Sequence, residues 1–240
     1  MTTKGYIFDY GGTLDTRGNH WGRVIWHAYE QAEIPISWEQ YREAYVYAER
    51  TLGRNPIVTP TWTFKKLLDV KLRLQMEYLF TKGYWTADKK LFTQKQLQIL
   101  NLLYEQVCQT TAESLRVLQQ ISESKVLVSN FYGNISVVLQ EFHLDHLFQE
   151  VIESAVVGIR KPDARIFSLG VEALGLKPEE VVVVGDSISK DIVPAHSIGC
   201  QTVWFKGESW DDKPEDETVP DRIITELTSL QHGALPVKNT

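Results

Sequence analysis

The chain has 240 residues, enough for one domain carrying a large insertion or for two domains, and too few for three. Apolar residues make up 43% and charged residues 23%, which excludes bulk disorder. A formal net charge of −6 argues against nucleic acid bound through surface charge.

Lys4 to Tyr10 is a short apolar run that meets a Gly-Gly-Thr turn, and it predicts a first strand. Residues 17–108 hold no strand-like run; they are helical in period and carry Trp21, Trp26, Trp38, Trp62 and Trp85. An all-helical insertion between the first and second strands is expected there, with its aromatics forming its own core. Ser124 to Ser129 predicts a second strand, followed by a helix over Gly133–Phe142. Glu150 to Ile152 is a weaker third strand, followed by a helix over Asp163–Leu174 with Asp163 as its cap. Val181 to Val184, four consecutive valines, predicts the fourth strand, then a helix over Ser189–Ser197. Gln201 to Phe205 predicts the fifth.

Runs that are apolar on both faces and spaced by helices read as buried parallel strands with crossover connections. The expected fold class is therefore α/β, a doubly wound, Rossmann-like core with a helical insertion. The expected division is a core of residues 1–16 and 109–240 and an insertion of residues 17–108. Gly207–Asp221 is expected to be an acidic surface loop with solvated charges, and the residues after Gln231 a loose tail. Two cysteines, Cys108 and Cys200, make no disulfide framework and fit a reducing compartment. The start lacks the pattern of a signal peptide, and no apolar run nears the roughly 20 residues of a membrane helix. A cytoplasmic protein without membrane contact is expected.

In an open parallel sheet, ligands sit beyond the carboxyl ends of the strands. Those ends hold Asp9, Gly11, Gly12 and Thr13; Ser129 and Asn130; Arg160 and Lys161; and Gly185, Asp186, Ser187 and Asp191. Two carboxylates brought together repel unless a cation lies between them. Mg²⁺ takes oxygen ligands and keeps phosphate oxygens in its sphere. A lysine and a hydroxyl opposite can hold the remaining phosphate oxygens. The set reads as a phosphoryl-transfer site with one carboxylate free to act as nucleophile.

These residues resemble the four motifs of the haloacid dehalogenase (HAD) superfamily. The first is Asp9-Tyr10-Gly11-Gly12-Thr13-Leu14, against a family pattern of Asp-x-Asp-x-Thr. The second is Ser129, in Leu-Val-Ser-Asn; the third is Lys161-Pro162-Asp163-Ala164-Arg165-Ile166-Phe167. The fourth is Gly185-Asp186-Ser187-Ile188-Ser189-Lys190-Asp191. The resemblance covers residues 1–16 and about 109–230, and the middle segment resembles the helical cap of many members. It implies that Asp9 is the nucleophile and forms an aspartyl-phosphate. It implies Mg²⁺ held by Asp9, Asp186 and the backbone carbonyl of Gly11. Ser129 and Lys161 would bind the phosphoryl group, helped by backbone donors of Gly11, Gly12 and Asn130. Asp191 would orient Lys161 or a metal-bound water. The implied partner is a small phosphorylated substrate.

One position departs from the family. Its phosphatases carry a second Asp two residues after the nucleophile, which protonates the leaving group and activates water; this chain has Gly11. General acid–base help is typically worth ~10²–10⁴ in rate. A slow or selective phosphatase is therefore expected, favouring a leaving group that needs little protonation. Asp15 and His20, on the linker into the cap, are the candidate substitute acids; the plainer reading has His20 capping the first cap helix and Asp15 bonding the linker. Two alternatives stay open: a non-catalytic member that binds a phosphorylated ligand or a partner, and a C–P or C–halogen hydrolase. Phosphonatases of the superfamily use a cap lysine, and this cap offers Lys65, Lys66, Lys71, Lys82, Lys89 and Lys90.

Overall fold

The computed structural model describes residues 3–211 and 213–231; the expected tail after Gln231 lies outside them. The chain opens with β1 (Gly5–Phe8) and then gives four helices in succession: α1 (Trp21–Gln31), α2 (Trp38–Arg54), α3 (Phe64–Thr81) and α4 (Lys89–Gln120). It continues through β2 (Ser124–Ser129), α5 (Ile135–Glu141), β3 (Glu150–Glu153), α6 (Ser154–Val157) and α7 (Arg165–Leu174). It closes with β4 (Val181–Gly185), α8 (Val193–Ser197), β5 (Gln201–Phe205) and β6 (Arg222–Ile224).

The six strands form one parallel sheet in the order β3-β2-β1-β4-β5-β6. All five residues of β4 and the last five of β2 are buried, because helices cover both faces and leave no solvent side to alternate toward. On one face Ile7, Val126, Val128 and Val183 pack against Ile166, Phe167 and Val171 of α7 and Ala195 of α8. On the other, Phe8, Leu127 and Val184 belong to an apolar cluster that runs on through Val107 and Leu118 of α4 to Tyr41 and Met76. The inserted aromatics thus do not enclose a separate core of their own. Their cluster is continuous with that of the sheet.

The insertion's helices start at good caps. Ser37 accepts the Gln40 N–H and receives Gln40's side chain in return, while Thr63 and Asp88 accept the N–H groups of Lys66 and Leu91. Helix α4 has 32 residues and no Gly or Pro, so it runs about 48 Å without a break. It passes through positions 108 and 109, so the domain division expected there coincides with no change in backbone structure. Elsewhere the boundaries shift slightly. Helix α7 begins at Arg165, whose backbone N–H donates to Asp163 Oδ1 at 3.0 Å, and the stretch from Ser189 is a π-turn over Ile188–Ile192 before α8.

The expected solvated loop after β5 is, over residues 208–211, a strap against the insertion. Glu208 accepts the His20 backbone N–H at 2.9 Å and donates its own to Asn19 Oδ1 at 2.8 Å. Arg23 Nε donates to the Ser209 carbonyl at 3.1 Å, and Arg42 pairs with Asp211 at 2.9 Å. Trp210 packs on Tyr45, His20 and Trp38 with ring centroids 4.9, 5.1 and 5.2 Å apart. A Cβ at position 22 would lie 2.0 Å from the Trp210 ring, which is why Gly22 stands where the strap crosses α1.

Candidate active site

The strand order reverses direction between β1 and β4, and side chains from both strand ends meet there. Phe8 pairs with Leu127 on one side and Val184 on the other, so β1, β2 and β4 finish at one edge. Asp9 follows β1 and donates its N–H to the Val184 carbonyl at 3.0 Å. Ser129 ends β2 and is buried; Asp186 follows β4. Gly12 takes a positive φ of 104°, and a Cβ there would lie 2.4 Å from the Asp186 carboxylate, so only glycine lets the turn approach that closely. The π-turn carries Asp191 inward, where its Oδ2 accepts the Ser187 N–H at 3.1 Å.

Lys161 Nζ lies 2.6 Å from Asp9 Oδ1 and 2.7 Å from Asp191 Oδ1, with all three side chains buried. Asn130 holds the lysine's backbone from both sides: its Nδ2 donates to the Lys161 carbonyl at 3.1 Å and its Oδ1 accepts the Lys161 N–H at 2.9 Å. Thr13 Oγ1 sits between two acids, 3.1 Å from Asp186 Oδ1 and 3.4 Å from Asp9 Oδ2.

Asp9, Asp186 and Asp191 each offer an oxygen within 4.8 Å of the others. One ammonium cannot neutralise three carboxylates. Burial would lower the Lys161 pKa, but Asp191 and Asp9 outweigh it and push it up to about 12. Burial nevertheless raises Asp9, against the pull of Lys161 and with a further push from Asp191. Burial, then Asp191 and Asp9, hold Asp186 well above the usual carboxylate range. The cluster carries two uncompensated negative charges when ionised, and an all-oxygen donor set of that charge fits a divalent hard cation such as Mg²⁺.

A cavity of about 160 Å³ opens over these groups, between the strand ends and the insertion. Asp9, Gly11, Ser129, Asn130, Lys161, Asp186 and Asp191 line it on the sheet side; Trp21, Tyr45, Phe64, Leu67 and Leu68 line it on the helical side. Gly11 presents open space to it: a Cβ there would meet nothing within 4 Å. The Gly12 N–H is already bonded to Asp15 Oδ1 at 2.7 Å, so the turn's donor toward an anion falls to Gly11.

The two candidate substitute acids occupy different positions. Asp15 is fully buried outside the cavity lining, and its other oxygen accepts Trp21 Nε1–H at 2.9 Å. Burial pushes its pKa up to about 7, but it ties the Gly12 turn to α1 and has no face toward a substrate. His20 lines the cavity and caps α1, its Nδ1 accepting the Gly22 N–H at 3.0 Å. That bond places the neutral ring's proton on Nε2. Burial, then Lys190, lower its pKa to about 4, so at neutral pH it can donate a hydrogen bond but holds no surplus proton to release.

Three lining residues carry a polar network that sequence reasoning did not single out as a site. Lys71 Nζ of α3 lies 2.6 Å from Glu49 Oε1 of α2, and Tyr132 OH, two residues beyond Asn130, donates to Glu49 Oε2 at 2.6 Å. Glu49 and Lys71 are charges next to the apolar stripes of their helices (Tyr41, Tyr45, Ala48 and Leu52; Leu67, Leu68 and Leu72), and that was the available signal. Of the cap lysines, Lys71 alone lines the cavity.

The family model of haloacid dehalogenase-like hydrolases matches residues 3–199. The chain is a haloacid dehalogenase-like hydrolase. Among curated relatives, a glyceraldehyde 3-phosphate phosphatase of Pyrococcus furiosus is 40% identical over 88 residues, 36% of this chain and 37% of that protein. A phosphoserine phosphatase of Thermus thermophilus is 40% identical over 88 residues, 36% of this chain and 34% of that one. A phosphoglycolate phosphatase of Pasteurella multocida is 30% identical over 132 residues, 55% and 57% of the two chains. The matched region thus spans about a third of the length of the first of these relatives. In fold, the HAD-hydrolase YfnB of Bacillus subtilis, solved bound to magnesium, aligns at a TM-score of 0.59 and 21% identity over 97% of this chain and 98% of its own. The L-2-haloacid dehalogenase of Xanthobacter autotrophicus aligns at 0.58 and 18% over 95% and 97%. Family members of both chemistries share this architecture. Among the described residues no helix is long and apolar enough to cross a membrane.

Proposed function

We propose that the chain is a Mg²⁺-dependent phosphatase acting on small phosphorylated substrates through an aspartyl-phosphate on Asp9. The observation that carries this reading is the cluster of Asp9, Asp186 and Asp191 with Lys161 bridging Asp9 and Asp191, at the floor of a cavity. A halide-displacing site has no use for so much negative charge, whereas a metal-assisted phosphoryl site does. Phosphatase names among the relatives agree with it.

Asp9, Asp186 and the Gly11 carbonyl would hold Mg²⁺, which supplies neutralisation of the charge on the phosphoryl oxygens. Lys161 and Ser129 face that group, with backbone donors of Gly11 and Asn130. Asp9 attacks phosphorus as the bond to the leaving oxygen breaks; water then attacks phosphorus and regenerates the carboxylate with release of inorganic phosphate. Thr13 fixes the rotamers of two acids and Asp191 fixes Lys161. The insertion, residues 17–108 with α4 as a shared support, serves as the cap that shuts out water. With Gly11 in place of an acid, both steps lack a proton carrier. Turnover is slow on alkyl esters and the phosphoenzyme is long-lived.

The test is acid-quench trapping. The protein is mixed with Mg²⁺ and a panel of phosphate esters, and the peptide containing Asp9 is weighed. A phosphoryl increment absent in Asp9→Asn and absent without Mg²⁺ is expected. No increment and no turnover from folded protein would leave the chain a binding member of its family.

A further inference from the structure

Most of the cavity's polar groups are accounted for by the phosphoryl and metal cradle. The Glu49–Lys71–Tyr132 network is not. It stands on the opposite wall, among Trp21, Tyr45, Phe64, Leu67, Leu68 and Phe131. The pair is partly exposed, at 12% for Lys71 and 31% for Glu49, and such a pair contributes little to stability, which gives little reason for one in this wall.

Its hydrogen-bond capacity is lopsided. Glu49 Oε2 accepts the Tyr132 hydroxyl, while Oε1 lies 2.6 Å from Lys71 Nζ as an ion pair whose angle is outside hydrogen-bond geometry. Burial would raise the Glu49 carboxyl, but Lys71 and the Tyr132 bond outweigh it and hold it below the usual range, so the carboxylate is ionised at neutral pH. Lys71 has three N–H donors, is paired by charge with Glu49, and lies 5.4 Å from the Tyr132 ring face. Neutral His20 lines the same cavity with Nε2–H as a second donor. The wall therefore offers donors, and beside them sits a fixed negative charge.

The charges of the lining point the same way. Four carboxylates (Asp9, Glu49, Asp186, Asp191) face four cations (Lys71, Arg160, Lys161, Lys190). A divalent cation and a phosphate dianion add nothing net. A carboxylate on the leaving group would bring one uncompensated charge into the cavity, next to Glu49. Arg160 and Lys190 are both exposed, so solvent screens their charges more than those of the deeper groups.

We infer that the Glu49–Lys71–Tyr132 network selects a leaving group that is uncharged and bears a carbonyl or hydroxyl oxygen, and that Glu49 rejects the corresponding carboxylic acids. This rests on the phosphatase reading and narrows it to phosphorylated aldehydes, ketones and polyols. Lys71 donates to the neutral oxygen; Glu49 removes the net attraction that a bare lysine would exert on an anion.

The experiment measures binding, separately from turnover. Wild-type protein, which keeps all four lining carboxylates, is loaded with Ca²⁺ in place of Mg²⁺ and titrated calorimetrically with glyceraldehyde 3-phosphate and with 3-phosphoglycerate, which differ only in CHO against COO⁻. The aldehyde is expected to bind at least about tenfold more tightly. Adding Glu49→Gln, which keeps the Tyr132 bond, should move the ratio at least about tenfold toward the acid. Adding Lys71→Met should weaken the aldehyde about tenfold and leave inorganic phosphate unchanged. Equal affinities in the parent, a ratio unmoved by Glu49→Gln, or no binding of either ester overturns the inference. If Glu49→Gln fails to fold, the parent ratio and Lys71→Met decide it. Turnover by wild-type protein tests the phosphatase reading independently.

Discussion

Gly11→Asp puts an acid where the proton is missing. The position accepts a side chain: its Cβ would meet nothing within 4 Å, its backbone lies outside the left-handed region, and it faces the cavity. The new carboxyl would join three others. At roughly 6 Å and an effective dielectric near 20, each unit charge is worth about 3 kcal/mol or about two pKa units, so three carboxylates less Lys161 push the newcomer up by about four units without metal, and a bound divalent cation brings it back toward neutrality. A carboxyl that stays partly protonated near pH 7 is what leaving-group protonation needs. Turnover of an alkyl phosphate should rise by about 10²-fold, within the ~10²–10⁴ range for general acid–base help. An aryl phosphate, whose leaving group departs as a stable anion, should gain less than about tenfold. The assay is kcat/KM for both esters at pH 7, with the lifetime of the Asp9 phosphoenzyme. An equal gain on both esters, or none while the phosphoenzyme still forms, refutes the reasoning.

Other outcomes follow from the same geometry. Asp186→Asn removes a carboxylate held well above its usual range, so the metal-free protein should gain stability and lose its Mg²⁺-induced rise in Tm; a retained rise would place the ion elsewhere. For His20 the folded pKa of about 4 lies below the ordinary 6.5, so its contribution to stability is full above pH 6.5 and is lost as pH falls toward 4, by up to roughly 3 kcal/mol. His20→Asn should therefore flatten that acid limb in denaturant melts, without adding or removing an inflection in the turnover profile between pH 5 and 8. Gly22→Ala drives a methyl into Trp210 and should cost about 1–3 kcal/mol with a shift in tryptophan emission; an unchanged spectrum and stability would mean the strap gives way freely.

The sheet was legible because its strands are buried on both faces, which turns β2 and β4 into unbroken apolar runs. Strand β6 was not, since Arg222–Ile224 is three residues long and only partly buried. The cradle was legible because the strand ends bring Asp9, Ser129, Lys161 and Asp186 to one edge in any parallel sheet of this order. The opposite wall was not. Glu49 and Lys71 lie on different helices, and their 2.6 Å contact depends on how α2 packs on α3, which periodicity does not specify. The domain limit at 108/109 failed to show in the backbone for a similar reason: α4 changes partners without changing conformation. The charges of the loop after β5 are exposed as expected, but the docking of Trp210 and the pairing of Glu208 and Asp211 with Arg23, His27 and Arg42 depend on tertiary packing that the local pattern does not carry.

The strap also sets an order on the life of the chain. Its bonds to Asn19 and Arg23 join residues 189 and 186 positions apart. During synthesis the four inserted helices leave the ribosome long before the segment that anchors α1 exists. Once β1 has paired with β4, and β4 with β5, most of that long loop is already closed, and docking Trp210 adds little further entropic cost. A chain stopped just after β5 would keep its nucleophile and its parallel strands. It would also present the cavity with an entrance helix whose first turn has lost its footing, so that a late segment of the chain finishes the doorway built from an early one.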